Sequence, residues 1–496
     1  MTTNYQTDQS KRLIWLAIIL LIVVATVLKV VAAAPVWMHH DEVYYLNIGQ
    51  NYIMRGGLTP YMWRLDVDTN VIAGSGTGYG ILLLVGWMKL IGNTLLGGRL
   101  LMIGLGLITT GVMYLVARKW WESEVAGVTT LIFALVGTSP FYSFVIRMDS
   151  PGMLCYSLIL LLHVHAVRRQ ARWLHFATGI AVVAFAEFHV LSIMYAIVLG
   201  IWYITDYIRQ VMSKRQLVLD AGLIYYAGAG IIATAIYIAI HILPDPAAYF
   251  SIPSQFFGPS LTNETLRYAR FLVLRPVEFV LLFVVSISAL LRRGPEDRHF
   301  LILMGAWLVV MPSIPPYVHY TNHMWPILAI GLGGLMARGL KYTGKLNLNL
   351  LRFGALLAVA TLVLNIGLHI TGSQPTELRE QLSDHPVLAF IRETVPEDTV
   401  VLAHSSHFYY LSNFINFMSY GNAEERAVMQ RGETMLDYWR REQPEVIIGN
   451  DRSHDPLLDQ YMTEKNFQEV QSQLWIADRL LQELSIETVS NAGAAS

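Results

Sequence analysis

Two imidazoles, two carboxylates and two phenols crowd into Trp37-Met-His-His-Asp41-Glu42-Val-Tyr44-Tyr45-Leu-Asn47, directly after an apolar run from about Leu13 to Ala34. Membrane anchoring gives no reason for a carboxylate pair where an apolar run meets water. Acid–base chemistry on a lipid-linked substrate does, because the reacting bond then lies at headgroup depth. Asp41 or Glu42 could take a proton from a hydroxyl there. The plain alternative is a helix cap with a second acid in the first turn. A second acidic position is Asp149, in Arg147-Met-Asp149-Ser-Pro151, which also borders an apolar run. Its plain alternative is again a cap, with Pro151 in the first helical turn. The two positions strengthen each other, since carboxylates near a bilayer are costly unless used or paired.

A third group is Pro315-Pro-Tyr317-Val-His319-Tyr320-Thr-Asn-His323. His319 and His323 are four apart, which on a helix places them on one face. They suit a metal ion or phosphate oxygens; interfacial anchoring by aromatic side chains is the plain alternative. Arg267 and Arg270 suit a phosphate clamp or lipid headgroups equally. Glu187 and His189 form a weaker candidate pair at the end of another apolar run, and His163 and His165 read as structural. The run Gly74-Ser-Gly-Thr-Gly-Tyr-Gly80 follows no strand, so it reads as a surface loop and not as a nucleotide-binding motif.

The elements that must hold these groups follow from composition. Of 496 residues, 54% are hydrophobic and 14% charged, with mean hydropathy +0.44. Soluble domains carry roughly 25% charged residues. The deficit, with repeated apolar runs, predicts an all-α polytopic membrane protein. A net charge of −1 argues against a nucleic-acid partner, and the single cysteine, Cys155, excludes an intrachain disulfide and a cysteine metal site. Eleven spans are expected near 13–34, 99–117, 125–142, 151–167, 174–188, 190–204, 218–241, 272–291, 299–313, 324–337 and 351–371. The first run is longer than the apolar core of a cleaved signal, so it reads as a retained span despite Ala32-Ala33-Ala34. Basic residues mark alternate connections, among them Lys11/Arg12, Arg118/Lys119, Arg168/Arg169/Arg172 and Arg292/Arg293/Arg298. The positive-inside rule places these in the cytoplasm, with the N-terminus. Tyr79 to Leu90 is too short to span, so 35–98 reads as one large external loop with interfacial helices. Tyr45, Ile48 and Tyr52 share a face of one such helix, which Gly56-Gly57 ends. The expected domains are 1–371 in the plasma membrane and 372–496 outside, a soluble α/β domain with a disordered tail from 487.

The order of these motifs resembles the GT-C glycosyltransferases that use polyprenyl-phosphate sugars, above all the aminoarabinose-transferase and protein O-mannosyltransferase-like families. Asp41-Glu42-Val-Tyr44-Tyr45, Gly92 with Arg99-Leu100, Asp149-Ser-Pro151 and His319-Tyr320 to Pro326 carry the likeness, over about residues 10–370. Two positions depart from it: Gly74-Ser-Gly-Thr77 replaces an acidic–basic pair, and His323 stands where those enzymes often have tyrosine. The resemblance implies a sugar transferase with Asp41 as base and Asp149 as the second acidic position. It implies Arg147, Arg267, Arg270, Tyr317, His319, Tyr320, His323 and Tyr45 as substrate-binding groups. The partners would be the bilayer, a polyprenyl-phosphate sugar, and a lipid, glycan or protein acceptor, with inversion at the anomeric carbon. No cofactor is required for certain; a divalent cation would have Asp41, Asp149 and His319 as candidate ligands. A transporter or flippase of lipid-linked sugars is the alternative. It would call for internal repeats and ionisable groups deep in the spans.

Overall fold

A computed structural model describes residues 2–33, 40–58, 78–92, 94–137, 144–189, 192–214, 220–246, 249–250, 276–292, 294–310, 323–342, 386–404, 407, 411, 416–419, 428, 432–449, 455–471 and 473–484. They form two compact units: residues 1–34, 70–87 and 96–370, and residues 35–69, 88–95 and 371–496.

The first unit is helical. Its helices are α1 (Thr2–Ala33), α3 (Ile81–Ile91, which runs on into the second unit), α4 (Leu95–Ala117), α5 (Ser123–Ile132), α6 (Asp149–Arg169), α7 (Arg172–Ala184), α8 (Ser192–Lys214), α9 (Ala221–Tyr237), α10 (Pro276–Arg292), α11 (Pro295–Val310) and α12 (Trp325–Tyr342). Four helical stretches among the described residues are long and apolar enough to cross a membrane: Lys11–Val31, Leu95–Ala117, Asp149–Arg169 and Ala221–Ile242. α1 shows why composition reads as membrane. Ile14, Ile18 and Ala25 form a buried stripe against α5, while Leu13, Leu16, Leu20 and Val27 stay exposed. Such a surface is stable only in lipid. Hydroxyls within these helices donate back along them: Thr109, Thr129, Thr130, Ser157 and Thr178 each bond the carbonyl four residues earlier at 2.7–2.9 Å. Lipid offers them no other partner. α6, α8, α11 and α12 bury the large core side chains, including Tyr156, Tyr195, Trp307 and Trp325. The expected span at 351–371 lies outside the described residues.

The second unit holds α2 (His40–Arg55) and a five-stranded mixed sheet. Gly56, at φ +78°, closes α2 where the sequence places its end, and its N–H bonds the Tyr52 carbonyl at 2.9 Å. After α13 (Pro386–Thr394) come β1 (Val401–Ala403), β2 (Phe417–Ser419), α14 (Met435–Glu442), β3 (Val446–Ile448), α15 (Pro456–Glu464), β4 (Phe467–Gln471), β5 (Leu474–Ala477) and α16 (Asp478–Leu484). The sheet order is β2-β1-β3-β5-β4. β1 is parallel to β2 and β3, with Leu402 opposite Met418 and Ile447. All three strands are wholly buried, as strands between covering layers must be. β5 joins antiparallel to β3 and β4.

Candidate metal and phosphate site

The first turn of α6 supplies the anchor. Asp149 opens the helix and is 4% exposed, a depth at which a carboxylate needs compensation. Arg147, also buried, donates from Nε to Asp149 Oδ2 at 2.6 Å. The other oxygen faces two imidazoles. His189 Nε2 lies 3.6 Å and His323 Nε2 3.4 Å from Asp149 Oδ1. One ligand atom from each of the three residues lies within 4.8 Å of the others. These separations exceed a good hydrogen bond, which ends near about 3.2 Å. The 3.4 Å separation equals the edge of a tetrahedral shell, about 3.3–3.4 Å for metal–ligand bonds of roughly 2.0–2.1 Å, and the 3.6 Å one is slightly longer.

Each imidazole is held by its surroundings. His189 lies in the connection after α7, and Gly152 on α6 lets it approach: a Cβ there would stand 3.3 Å from the His189 Cβ. Burial drives the His189 imidazole down to about 4, although the Asp149 carboxylate pulls the other way. It is therefore neutral near pH 7, the form that ligates a metal. His323 precedes α12 and is 1% exposed. Tyr156 meets its ring edge-on at 4.6 Å, and the Tyr195 hydroxyl donates to its carbonyl at 2.6 Å. Tyr195 in turn stacks on Tyr156 at 4.2 Å. Two imidazoles and one carboxylate suit a borderline divalent cation such as zinc. Asp149 thus appears among possible ligands as the sequence suggests, but beside His189 and His323. Of the other two metal candidates from the sequence, Asp41 is not in this group and His319 lies outside the described residues.

Arg267, Arg270, Tyr317, His319 and Tyr320 lie outside the described residues. Asp41, Glu42 and Tyr45 lie on α2 in the second unit. Asp41 and Tyr45 are partly exposed, whereas Glu42 is fully buried. Sequence reasoning underrated His189. Its one local signal was its place beside Glu187 where a span ends.

Four described helical stretches are long and apolar enough to cross a membrane, and the fold is similar to those of two solved structures. The structure of ArnT from Cupriavidus metallidurans bound to undecaprenyl phosphate matches with TM-score 0.62 at 15% identity, over 92% of this chain and 97% of that one. The archaeal oligosaccharyltransferase AglB from Archaeoglobus fulgidus, in complex with an inhibitory peptide and a dolichol-phosphate, matches with TM-score 0.52 at 12% identity, over 88% of this chain and 70% of that one. No protein-family model matches the sequence, and no curated protein matches it.

Proposed function

We propose that the chain is a membrane glycosyltransferase moving a sugar from a polyprenyl-phosphate donor to a hydroxyl of a lipid, glycan or protein acceptor on the external face. The observation that carries this reading is the buried Arg147–Asp149–His189–His323 group. It stands in a fold shared along nearly the whole chain with a protein that holds undecaprenyl phosphate. The chemistry requires little else. The Asp41 carboxylate takes the acceptor O–H proton, and the oxygen attacks the anomeric carbon. The bond from that carbon to the phosphate oxygen breaks, its electron pair leaves with the phosphate, and the carbon inverts. Charge growing on the phosphate calls for preorganised cations and donors. Arg147, Arg267, Arg270, Tyr317, His319 and Tyr320 are the groups we assign to it. A divalent cation held by Asp149, His189 and His323 would add positive charge there when bound. Asp41 is assigned as base over Glu42 because Glu42 is fully buried and Asp41 is not. Tyr45, one turn on, is assigned to the substrate wall. Residues 372–496 are assigned to the external side.

The test is direct. Purified protein is incubated with polyprenyl-phosphate sugars of defined headgroup and with lipid or peptide acceptors, before and after chelation. Sugar transfer that chelation abolishes and zinc restores is expected. Protein that transfers no sugar but carries the donor lipid across a vesicle bilayer would replace the enzyme by a flippase.

A further inference from the structure

One glutamate beside the candidate metal site has partners on two other segments. Glu187 closes the 3₁₀ turn Phe185–Glu187 that follows α7. Its Oε1 lies 2.5 Å from His241 Nε2, and its Oε2 accepts the Tyr79 N–H at 2.8 Å. Its backbone carbonyl accepts the Gly80 N–H at 2.9 Å. Hydrogen bonds to an ionised carboxylate are roughly twice as strong as neutral ones. The approach is close enough to require glycine. A Cβ on Gly78 would overlap Glu187 Oε2, and one on Gly80 would stand 2.5 Å from the Glu187 carbonyl oxygen. His241 is 1% exposed and sits on a π turn, Ile238–Ile242, with its ring 5.5 Å from Tyr79 and 4.8 Å from Tyr237. Such turns recur where a helix must aim a side chain.

His189 comes two residues after Glu187. The backbone between them has no slack. The Phe188 and His189 N–H groups both bond the Phe185 carbonyl, at 3.0 and 3.3 Å, and the His189 side chain abuts Gly152. Moving Glu187 therefore moves His189. We propose that Glu187 is a positioning residue. It ties the end of the glycine-rich segment, residues 78–80, and the π turn to His189, and so sets that imidazole against Asp149. This rests on the metal-site reading above. It gives residues 78–80 a mechanical role: a displacement there is passed to a metal ligand.

The test uses the full chain in detergent, with diethyl pyrocarbonate modification of each histidine read by mass spectrometry, and zinc titration. Glu187→Ala should raise modification of His189 several-fold. His163, fully buried with its Nε2 3.0 Å from His299 Nε2, should stay protected and so reports general unfolding. Zinc affinity should fall by an amount at the low end of the roughly 10–100-fold that loss of an outer-shell partner costs. Gly78→Ala, which keeps the carboxylate but crowds it, should do the same. His189 as protected as in the parent in both variants would overturn the proposal. So would His189 and His163 rising together, which marks loosened folding. Zinc bound by neither the parent nor the variants removes the metal reading alone, because raised His189 modification would still uphold the clamp.

Discussion

Asp41 and Glu42 are neighbours in the first turn of α2, and burial separates their uses. Glu42 is fully enclosed, so a substrate hydroxyl cannot reach it without unpacking the helix. Asp41 is partly exposed, and two roles remain for it: cap or base. Substitution by asparagine tells them apart, because Asn caps a helix about as well as Asp. Asp41→Asn should therefore melt like the parent, yet lose roughly 10²–10⁴-fold in sugar transfer, the share that general-base catalysis supplies. Turnover within a few fold of the parent would make Asp41 a cap. Asp149 predicts a different pattern. Both of its oxygens are engaged, one by Arg147 and one toward the imidazoles, and the ion pair with Arg147 is buried. Asp149→Asn should abolish zinc binding and also lower stability. Removing one partner of a buried pair costs about 3–5 kcal/mol. A variant that melts like the parent would show that Arg147 finds its counter-charge elsewhere. Loss of stability at 149 but not at 41 is thus the residue-level signature expected.

The elements were legible wherever burial or lipid imposes a period. The apolar runs of α1, α4, α6 and α9 leave no choice but helix, since lipid cannot satisfy an open backbone. The apolar strings at 400–402, 414–420 and 446–448 read as strands, and β1, β2 and β3, all of whose residues are buried, correspond to them. β4 and β5 were not read from the sequence. β4 is an edge strand in which only Val470 is buried, so Phe467-Gln-Glu-Val-Gln471 shows almost no alternation. Of the metal group, Asp149 was legible because an acid opening an apolar helix is anomalous. Its partnership with His189 and His323 was not, because the three lie far apart in the chain and only the packing of α6 against its neighbours unites them. Caps are the legible detail that predicts energy. Asp455 accepts the Leu457 N–H at 2.9 Å and Pro456 follows it, an N-cap with proline in the first turn that opens α15. Asp455→Ala should cost the sheet-bearing unit about 1 kcal/mol, read as a lowered melting temperature or urea midpoint. An unchanged midpoint would mean that the bidentate Arg440–Glu464 pair holds α15 without its cap.

At the scale of the whole molecule the open quantity is direction: which end of each helix meets the cytoplasm. Four described helical stretches are long and apolar enough to cross, and the fold likeness covers most of the chain. Neither fixes orientation; the charge bias predicts one. Arg168, Arg169 and Arg172 flank the turn between α6 and α7, and positive connections of this kind stay in the cytoplasm. Asp149, at the other end of α6, is then expected to face outward, as the proposed transfer from an externally exposed polyprenyl-phosphate sugar requires. The argument extends to the sheet-bearing residues only if the number of crossings between them and α6 is odd, as the expected eleven spans make it. Two exposed positions test both halves at once: Gln170, in the turn after α6, and Asp459, on α15. Cys155, the only native cysteine, is buried and so should be silent toward an impermeant maleimide. In intact cells Asp459→Cys should be labelled, and Gln170→Cys should be labelled only after the membrane is permeabilised. Labelling of Gln170→Cys alone would invert the orientation and move the Asp149 end of α6 to the cytoplasmic face. Labelling of both would break the alternation of basic connections and with it the count of eleven.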